Sequence, residues 1–286
     1  MDSPSSQLSR SKGRRASGPP ASGKAVAEPA RPKRRSMVTR RVPAVSRAVA
    51  ILRLLGKSET PLGVHAVASA LDLVPSTCLH ILRVLVDEEL VSFDQTTKRY
   101  GLAAGILSIA RGVLRKRSLN DVAQPLLDDL ARRWGATAVC VEALGLEHIV
   151  VVAISRLEQA LRVRVELGSR FPALISATGR CIAAFGGHAR EDVDRHFRAL
   201  RWDNPPSVKT WREEVETTRA AGYAVDDGRY ISGVAIVAAP VPSAGGVKNV
   251  LVIIGVSEQL RRAGYAAVGE ALRARAIEFA ERLEGG

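Results

Sequence analysis

Between Pro61 and Val91 the apolar positions fall twice into a helical period, with a break between the two runs. Val64, Val67, Ala68 and Leu71 recur at i, i+3, i+4, i+7, which predicts a helix with one apolar face. Asp72-Leu73-Val74-Pro75 ends that run. Pro75 is excluded from a helix interior but suits a first helical position. Cys78, Ile81, Leu82 and Leu85 then repeat the spacing in a second helix. Ser76, Thr77, Leu79, His80 and Arg83 are left for its outer, N-terminal face. Hydroxyl, imidazole and guanidinium groups there suit the reading of a major groove. The plainer alternative is a helical hairpin with a solvated outer face.

The flanks favour the first reading. Upstream, Val45, Ala48, Val49, Leu52 and Leu55 predict a third helical face, closed by Gly56. Downstream, Val91-Ser92-Phe93-Asp94 and Lys98-Arg99-Tyr100-Gly101-Leu102 alternate with period two around the polar turn Gln95-Thr96-Thr97. Three helices and a basic hairpin predict a winged helix-turn-helix. Its second helix would read bases, while the wing and the helix N-terminus would grip phosphates.

Further along, Leu102, Ile106, Ile109, Ala110 and Val113 mark an amphipathic helix ending in Arg115-Lys116-Arg117-Ser118. Leu126, Leu127, Leu130 and Trp134 predict another from Leu119, stopped by Gly135, with Pro125 as a kink or as its real start. The period then shortens. Strands are predicted over Thr137–Leu144, His148–Ser155, Leu161–Leu167, Ala224–Asp226, Ile231–Val241 and Val250–Val256, with turns at Gly145-Leu146-Glu147 and Ser243-Ala244-Gly245-Gly246. Pro172–Ser176 leads into a short helix through Ala177-Thr178-Gly179-Arg180 to Phe185. Surface helices are expected over Glu191–Leu200 and Val208–Ala221, and a last helix carries Tyr265, Val268, Leu272, Ala276, Phe279 and Leu283 on one face. Grouped strands with helices before and after predict an α+β fold with an antiparallel sheet.

Charge changes less than its total suggests. The net charge of the 286 residues is +13, but eleven Lys and Arg against Asp2 and Glu28 put +9 of it before Val42. The remaining +4 makes the body nearly neutral, so nucleic-acid binding has to be argued from the positioned residues and not from the total. Residues 1–41 are rich in Ser, Pro, Gly, Ala and Arg and predict a disordered basic tail. Within it Arg40 and Arg41 could reach a phosphate backbone or minor groove. Cys78, Cys140 and Cys181 are odd in number and widely spaced, which predicts reduced thiols and no disulfide framework. No apolar run is long enough to span a membrane, and the start lacks a secretory h-region, so a cytoplasmic location is expected.

Catalytic signatures are missing. There is no GxSxG, P-loop, GxGxxG or HExxH, and the five histidines share no ligand spacing with one another or with cysteine. The sequence therefore predicts no enzyme, no metal site and no cofactor.

The residues around the second helix carry a family resemblance. Leu73, Ser76, Thr77, Ile81, Leu82, Leu90, Val91, Tyr100 and Leu102 stand where IclR-type bacterial transcriptional regulators carry a Leu-Pro-Lys-Ser-Thr-x-x-Arg-Leu-Leu segment, a Gly-Leu-Val and a wing ending in Tyr-x-Leu. The chain resembles that family from about Val42 to its end. It departs at His80, where Arg is usual, at Pro75, which lies one place along, and at Glu89, where Gly is usual. Arg83, one turn on, offers a guanidinium in place of the missing one.

The resemblance implies a winged helix-turn-helix domain over residues 42–103, a linker helix over 104–117 that takes part in dimer contacts, and a GAF-like or profilin-like ligand domain over 118–286. It implies a homodimer or homotetramer on a pseudo-palindromic double-stranded operator, with repression the commoner outcome. Ser76 and Thr77 would hold phosphates, Leu79, His80 and Arg83 would face bases, and Lys98 and Arg99 would anchor the wing. It further places an effector against Ala177, Thr178, Gly179, Asp226, Ile236, Val252 and Ile254, with open N–H groups at Thr178 and Gly179 receiving a carboxylate. Members that bind small keto acids carry Cys or Ser where this chain has Ile236, Val252 and Ile254, so a larger, partly apolar effector is expected, such as an aromatic or acyl carboxylate. Arg229, where the family often has Glu, is expected to add positive charge at one end of the pocket. The competing reading is a constitutive DNA-binding protein whose C-terminal domain only oligomerises.

Overall fold

The computed structural model describes residues 42–114, 117–156 and 165–284. The basic tail with Arg40 and Arg41, Arg115 and Lys116 of the charged run, and residues 161–164 of the strand expected at Leu161–Leu167 lie outside the described residues. Of that strand, Val165–Leu167 are described and are irregular, ending in a turn. The chain divides into two compact units. One holds the residues up to Asp87 with Phe93–Gly101, and the other holds Glu88–Ser92 with the chain from Leu102 onward.

In the first unit, α1 (Pro43–Lys57), α2 (Val64–Ala70) and α3 (Pro75–Asp87) pack around Ile51, Leu55, Val67, Ala68, Cys78, Leu82 and Leu85. The inner face of α1 runs through Ala48, Ile51, Leu52 and Leu55, rotated from the face expected. Val45 is 61% exposed and Val49 36%. Ile51, not Val49, completes the i, i+3, i+4, i+7 set, and the helix continues one residue past Gly56. Between α2 and α3 the chain bends by 113°. Asp72 takes a left-handed φ of 52° in that bend, and the Leu73 N–H donates to the Ala68 carbonyl at 2.9 Å. A two-residue strand β1 (Leu62–Gly63), not foreseen from the pattern, adds to the hairpin of β2 (Val91–Asp94) and β3 (Arg99–Leu102) in the order β1-β3-β2.

The second unit is built on a six-stranded antiparallel sheet. It contains β4 (Thr137–Leu144), β5 (His148–Ile154), β6 (Arg170–Pro172), β7 (Ala224–Asp227), β8 (Val234–Pro240) and β9 (Asn249–Val256), in the order β6-β5-β4-β9-β8-β7. Period-two burial puts Ala138, Cys140, Leu251 and Ile253 on one face, with α5 (Arg117–Trp134) and α10 (Tyr265–Glu284). Val139, Val141, Val250 and Val252 face the other way, toward α6 (Ser176–Phe185), α7 (Arg190–Arg198) and α8 (Val208–Ala221). This three-layer arrangement gives the sheet two separate cores. α5 runs unbroken through Pro125, so that residue is not the helix start; it lies on the exposed side. Gly135 ends α5 at φ 61°. A short α9 (Ser257–Ala263) follows β9 and was not expected. α4 (Gly105–Leu114) leaves Leu107 and Ile109 each 65% exposed, while Ile106 and Ala110 of the expected face are half-buried.

Candidate functional site

On α3 the expected outer face lies open to solvent. Ser76, His80 and Arg83 are exposed, and Thr77 and Leu79 are half-buried. The helix starts at Pro75, which needs no N–H partner, and Cys78 faces inward with its Sγ directed at the Val64 carbonyl, 3.9 Å away. Buried Cys78, Leu82 and Leu85 therefore fix which side of α3 is presented.

The wing is shaped by Asp94. Its Oδ1 accepts from the N–H groups of Thr96, at 2.8 Å, and Thr97, while Oδ2 accepts from the Thr97 hydroxyl at 2.7 Å. The Thr97 hydroxyl above all, then the Thr96 and Thr97 N–H groups, hold this carboxyl below its ordinary value. Lys98 adopts φ 56° at the end of the turn, not in the strand, with Nζ 5.9 Å from the Phe93 ring centre. Arg99 Nη1 donates to the Pro61 carbonyl at 3.1 Å, tying β3 to the entry of α2. Both cations are exposed, and Arg99 also has a structural bond.

In the second unit a cavity of about 120 Å³ opens on the α6 side of the sheet. Its walls are Val139 and Val141 of β4, Ile149 and Val151 of β5, Ile236 of β8, and Val252 and Ile254 of β9. Register makes this wall continuous: Val139 lies opposite Val252, and Ile236 opposite Ile254. Phe171 and Ile175 close one side, Tyr230, Ile231 and Val234 another, and Ser176 and Thr178 form the polar corner.

Of the ligand residues expected, Thr178, Ile236, Val252 and Ile254 line the cavity, and Ala177, Gly179 and Asp226 do not. Ala177 packs into the core between α6 and the sheet. The Gly179 N–H is not open, because it donates to the Ile175 carbonyl at 2.8 Å as the helix's first interior bond. The glycine is needed for space: a Cβ there would come within 2.1 Å of the Leu174 carbonyl carbon.

Asp226 is 1% exposed and stabilises the cavity's edge from behind. Its Oδ1 and Oδ2 accept from the N–H groups of Arg229 and Tyr230, at 3.3 and 3.2 Å. Burial pushes its carboxyl above the usual range, against the pull of Arg180, those two N–H groups and Arg229. The charge expected from Arg229 is spent on Glu214, 2.8 Å away. Burial likewise pushes the Cys140 and Cys181 thiols up to about 12.

Sequence reasoning missed Ser176 and Tyr230. Ser176 is 3% exposed and holds φ 53° at the start of α6. No sequence signal marks such a backbone. The β4 wall was legible, since Val139 and Val141 share the two-residue period of Val252 and Ile254.

A family model described as the bacterial transcriptional regulator IclR C-terminal domain matches residues 111–280, and the IclR helix-turn-helix model matches residues 44–95. The glycerol operon regulatory protein of Streptomyces griseus is 34% identical over 209 residues, 71% of this chain and 80% of that one. The HTH-type transcriptional repressor AllR of Klebsiella pneumoniae is 26% identical over 245 residues, 84% of this chain and 89% of that one. Among solved structures, the IclR transcriptional regulator from Alicyclobacillus acidocaldarius superposes with a TM-score of 0.71 at 27% identity, covering 85% of this chain and 99% of that one.

Proposed function

As the chain belongs to the IclR family of bacterial transcriptional regulators, we propose that it is a repressor released or retained on its operator by a small, partly apolar carboxylate bound in the second unit. The observation that carries the effector class is the cavity wall, apolar except for the Ser176–Thr178 corner, with Phe171 and Tyr230 set among aliphatic side chains. About 120 Å³ is close to the size of an apolar cavity that holds a single aromatic ring. A ring or short acyl chain would replace water on the valines and isoleucines. The carboxylate would meet the hydroxyls and unpaired N–H groups of the first turn of α6. A polyol or small keto acid would leave its polar groups facing aliphatic carbon.

On the operator, Ser76 and Thr77 would hold phosphates, Leu79, His80 and Arg83 would face base edges, and Lys98 and Arg99 would secure the wing, with Arg40 and Arg41 as an arm. Leu107 and Ile109, open on α4, support assembly of at least a homodimer, which a two-fold operator requires. Relatives named as regulators and repressors place the chain in a non-enzymatic family.

The test is a thermal-shift screen of aromatic and short-chain acyl carboxylates, alongside glycerol and pyruvate, followed by gel shift on the DNA upstream of the chain's own gene. The expected result is stabilisation by an aromatic or acyl acid together with a change in operator affinity. Tight binding of pyruvate, or operator binding with no stabilising compound, would overturn the effector reading.

A further inference from the structure

The segment 228–233, which carries Tyr230 and Ile231 on to the cavity, is bounded by two left-handed glycines, Gly228 at φ 71° and Gly233 at φ 79°. It contributes no strand to the sheet. Its backbone is held by polar groups from outside it. Asp226 accepts the N–H groups of Arg229 and Tyr230. The Asn204 N–H donates to the Arg229 carbonyl at 2.9 Å, and Asp203 Oδ2 accepts the Ser232 N–H at 2.9 Å.

One side-chain bridge connects this segment to the helical layer. Glu214 of α8 places Oε1 2.8 Å from Arg229 Nη2, and Oε2 2.6 Å from Nη2 and 2.8 Å from Nε of Arg180 on α6. Arg180 is 1% exposed, and Glu214 is the carboxylate it hydrogen-bonds, while Asp226 acts on it electrostatically. The bridge is therefore fixed at its α6 end, where losing Glu214 would leave a buried guanidinium without its hydrogen-bonded partner. Arg229, about one-third exposed, is the end that can let go. The Trp202 ring stands between the two layers, with the Arg180 guanidinium 5.9 Å from its centre and the Tyr230 ring edge-on at 6.3 Å.

We infer that the Arg180–Glu214–Arg229 bridge clamps segment 228–233 over the cavity and thereby sets the size of effector admitted. Arg229 is a positioning residue on this account; it does not line the cavity. The inference rests on the cavity being the effector site.

The experiment compares wild type with Arg229→Met and Arg229→Lys in the full-length chain. Hydrogen exchange is read at the amides of Arg229, Tyr230 and Ser232, and binding of benzoate and of 2-naphthoate by calorimetry. Arg229→Met leaves Arg180 and Glu214 paired, so the fold is kept. The expected result is exchange at least about tenfold faster at those three amides with β8 amides unchanged, and a naphthoate-to-benzoate affinity ratio raised about tenfold, both restored by Arg229→Lys. Unchanged exchange, or equal loss of both ligands, would overturn the inference. Faster exchange in a protein that binds neither acid would overturn it too, and would place the failure in the cavity reading and not in the clamp.

Discussion

Gly179 passes so close to Leu174 that a Cβ at position 179 would lie 2.2 Å from the Leu174 carbonyl oxygen and 2.5 Å from its Cα. The atoms in the way are backbone, so no rotamer can relieve the contact. Gly179→Ala is expected to cost about 3 kcal/mol or more, since overpacking against a fixed backbone exceeds the usual range for added methylenes. Thr178→Val, one residue away, exchanges the hydroxyl at the cavity for a methyl of similar size and should leave stability close to wild type while weakening effector binding. Urea unfolding of both variants separates a glycine kept for space from one kept for its N–H.

That pair also shows what could be read from the sequence. Periodicity placed α3, α8, the strands β4 and β5 and the inner face of α10, because each buries one continuous side. It misplaced the face of α1, where Val45, Val49, Ile51 and Leu52 offer two overlapping apolar sets and only packing chooses between them. It allowed Pro125 as the real start of its helix, although an exposed proline can sit within a helix whose neighbours hold it. The Ala177-Thr178-Gly179 segment was legible as a special place but not in its detail, since the left-handed Ser176 and the Leu174 contact are tertiary facts. Asp226 was singled out, yet its two hydrogen bonds run to the backbone of segment 228–233.

Asp226 should make stability fall as pH rises. Its folded-state carboxyl titrates above the ordinary 3.8, mainly through burial. The folded state therefore binds a proton that the unfolded state has released, and this contribution is full below the unfolded value and lost as pH rises through the folded one. Asp226→Asn cannot titrate. The stability of wild type relative to Asp226→Asn is expected to decline from about pH 4 upward, whatever the constant offset from the lost acceptor oxygen. Chemical denaturation of both proteins across that range checks the sign; a difference that grew in the other direction would contradict it.

Arg83 and Lys98 should fail in different ways on DNA. Arg83 is exposed on the outer face of α3, so Arg83→Ala is expected to cost about 1–3 kcal/mol and to relax preference at one operator position. Lys98 sits at the wing turn, where a phosphate contact carries no sequence information. Lys98→Ala should weaken all sequences alike and lower the salt slope by about one. Arg99→Ala should do more than Lys98→Ala, because it also frees β3 from the Pro61 carbonyl. Binding titrations on wild-type and single-substituted operators at several salt concentrations resolve the three patterns.

Glu89 holds φ 58°, a left-handed backbone that costs a residue with a Cβ roughly 1–2 kcal/mol. The IclR resemblance places glycine there, where this chain has Glu89. Gly105, at the start of α4, abuts the same residue: a Cβ on it would meet the Glu89 carbonyl oxygen at 2.3 Å. The two positions are thus fixed together, one by conformation and the other by space. Glu89→Gly relieves the strain but adds freedom to the unfolded chain, worth about 0.5–1 kcal/mol against it. The expected net gain is about 0.5–1 kcal/mol. Glu89→Ala keeps the Cβ and should gain nothing, whereas Gly105→Ala should destabilise strongly. If Glu89→Gly and Glu89→Ala unfold at the same urea midpoint, the left-handed backbone is not the source of the cost.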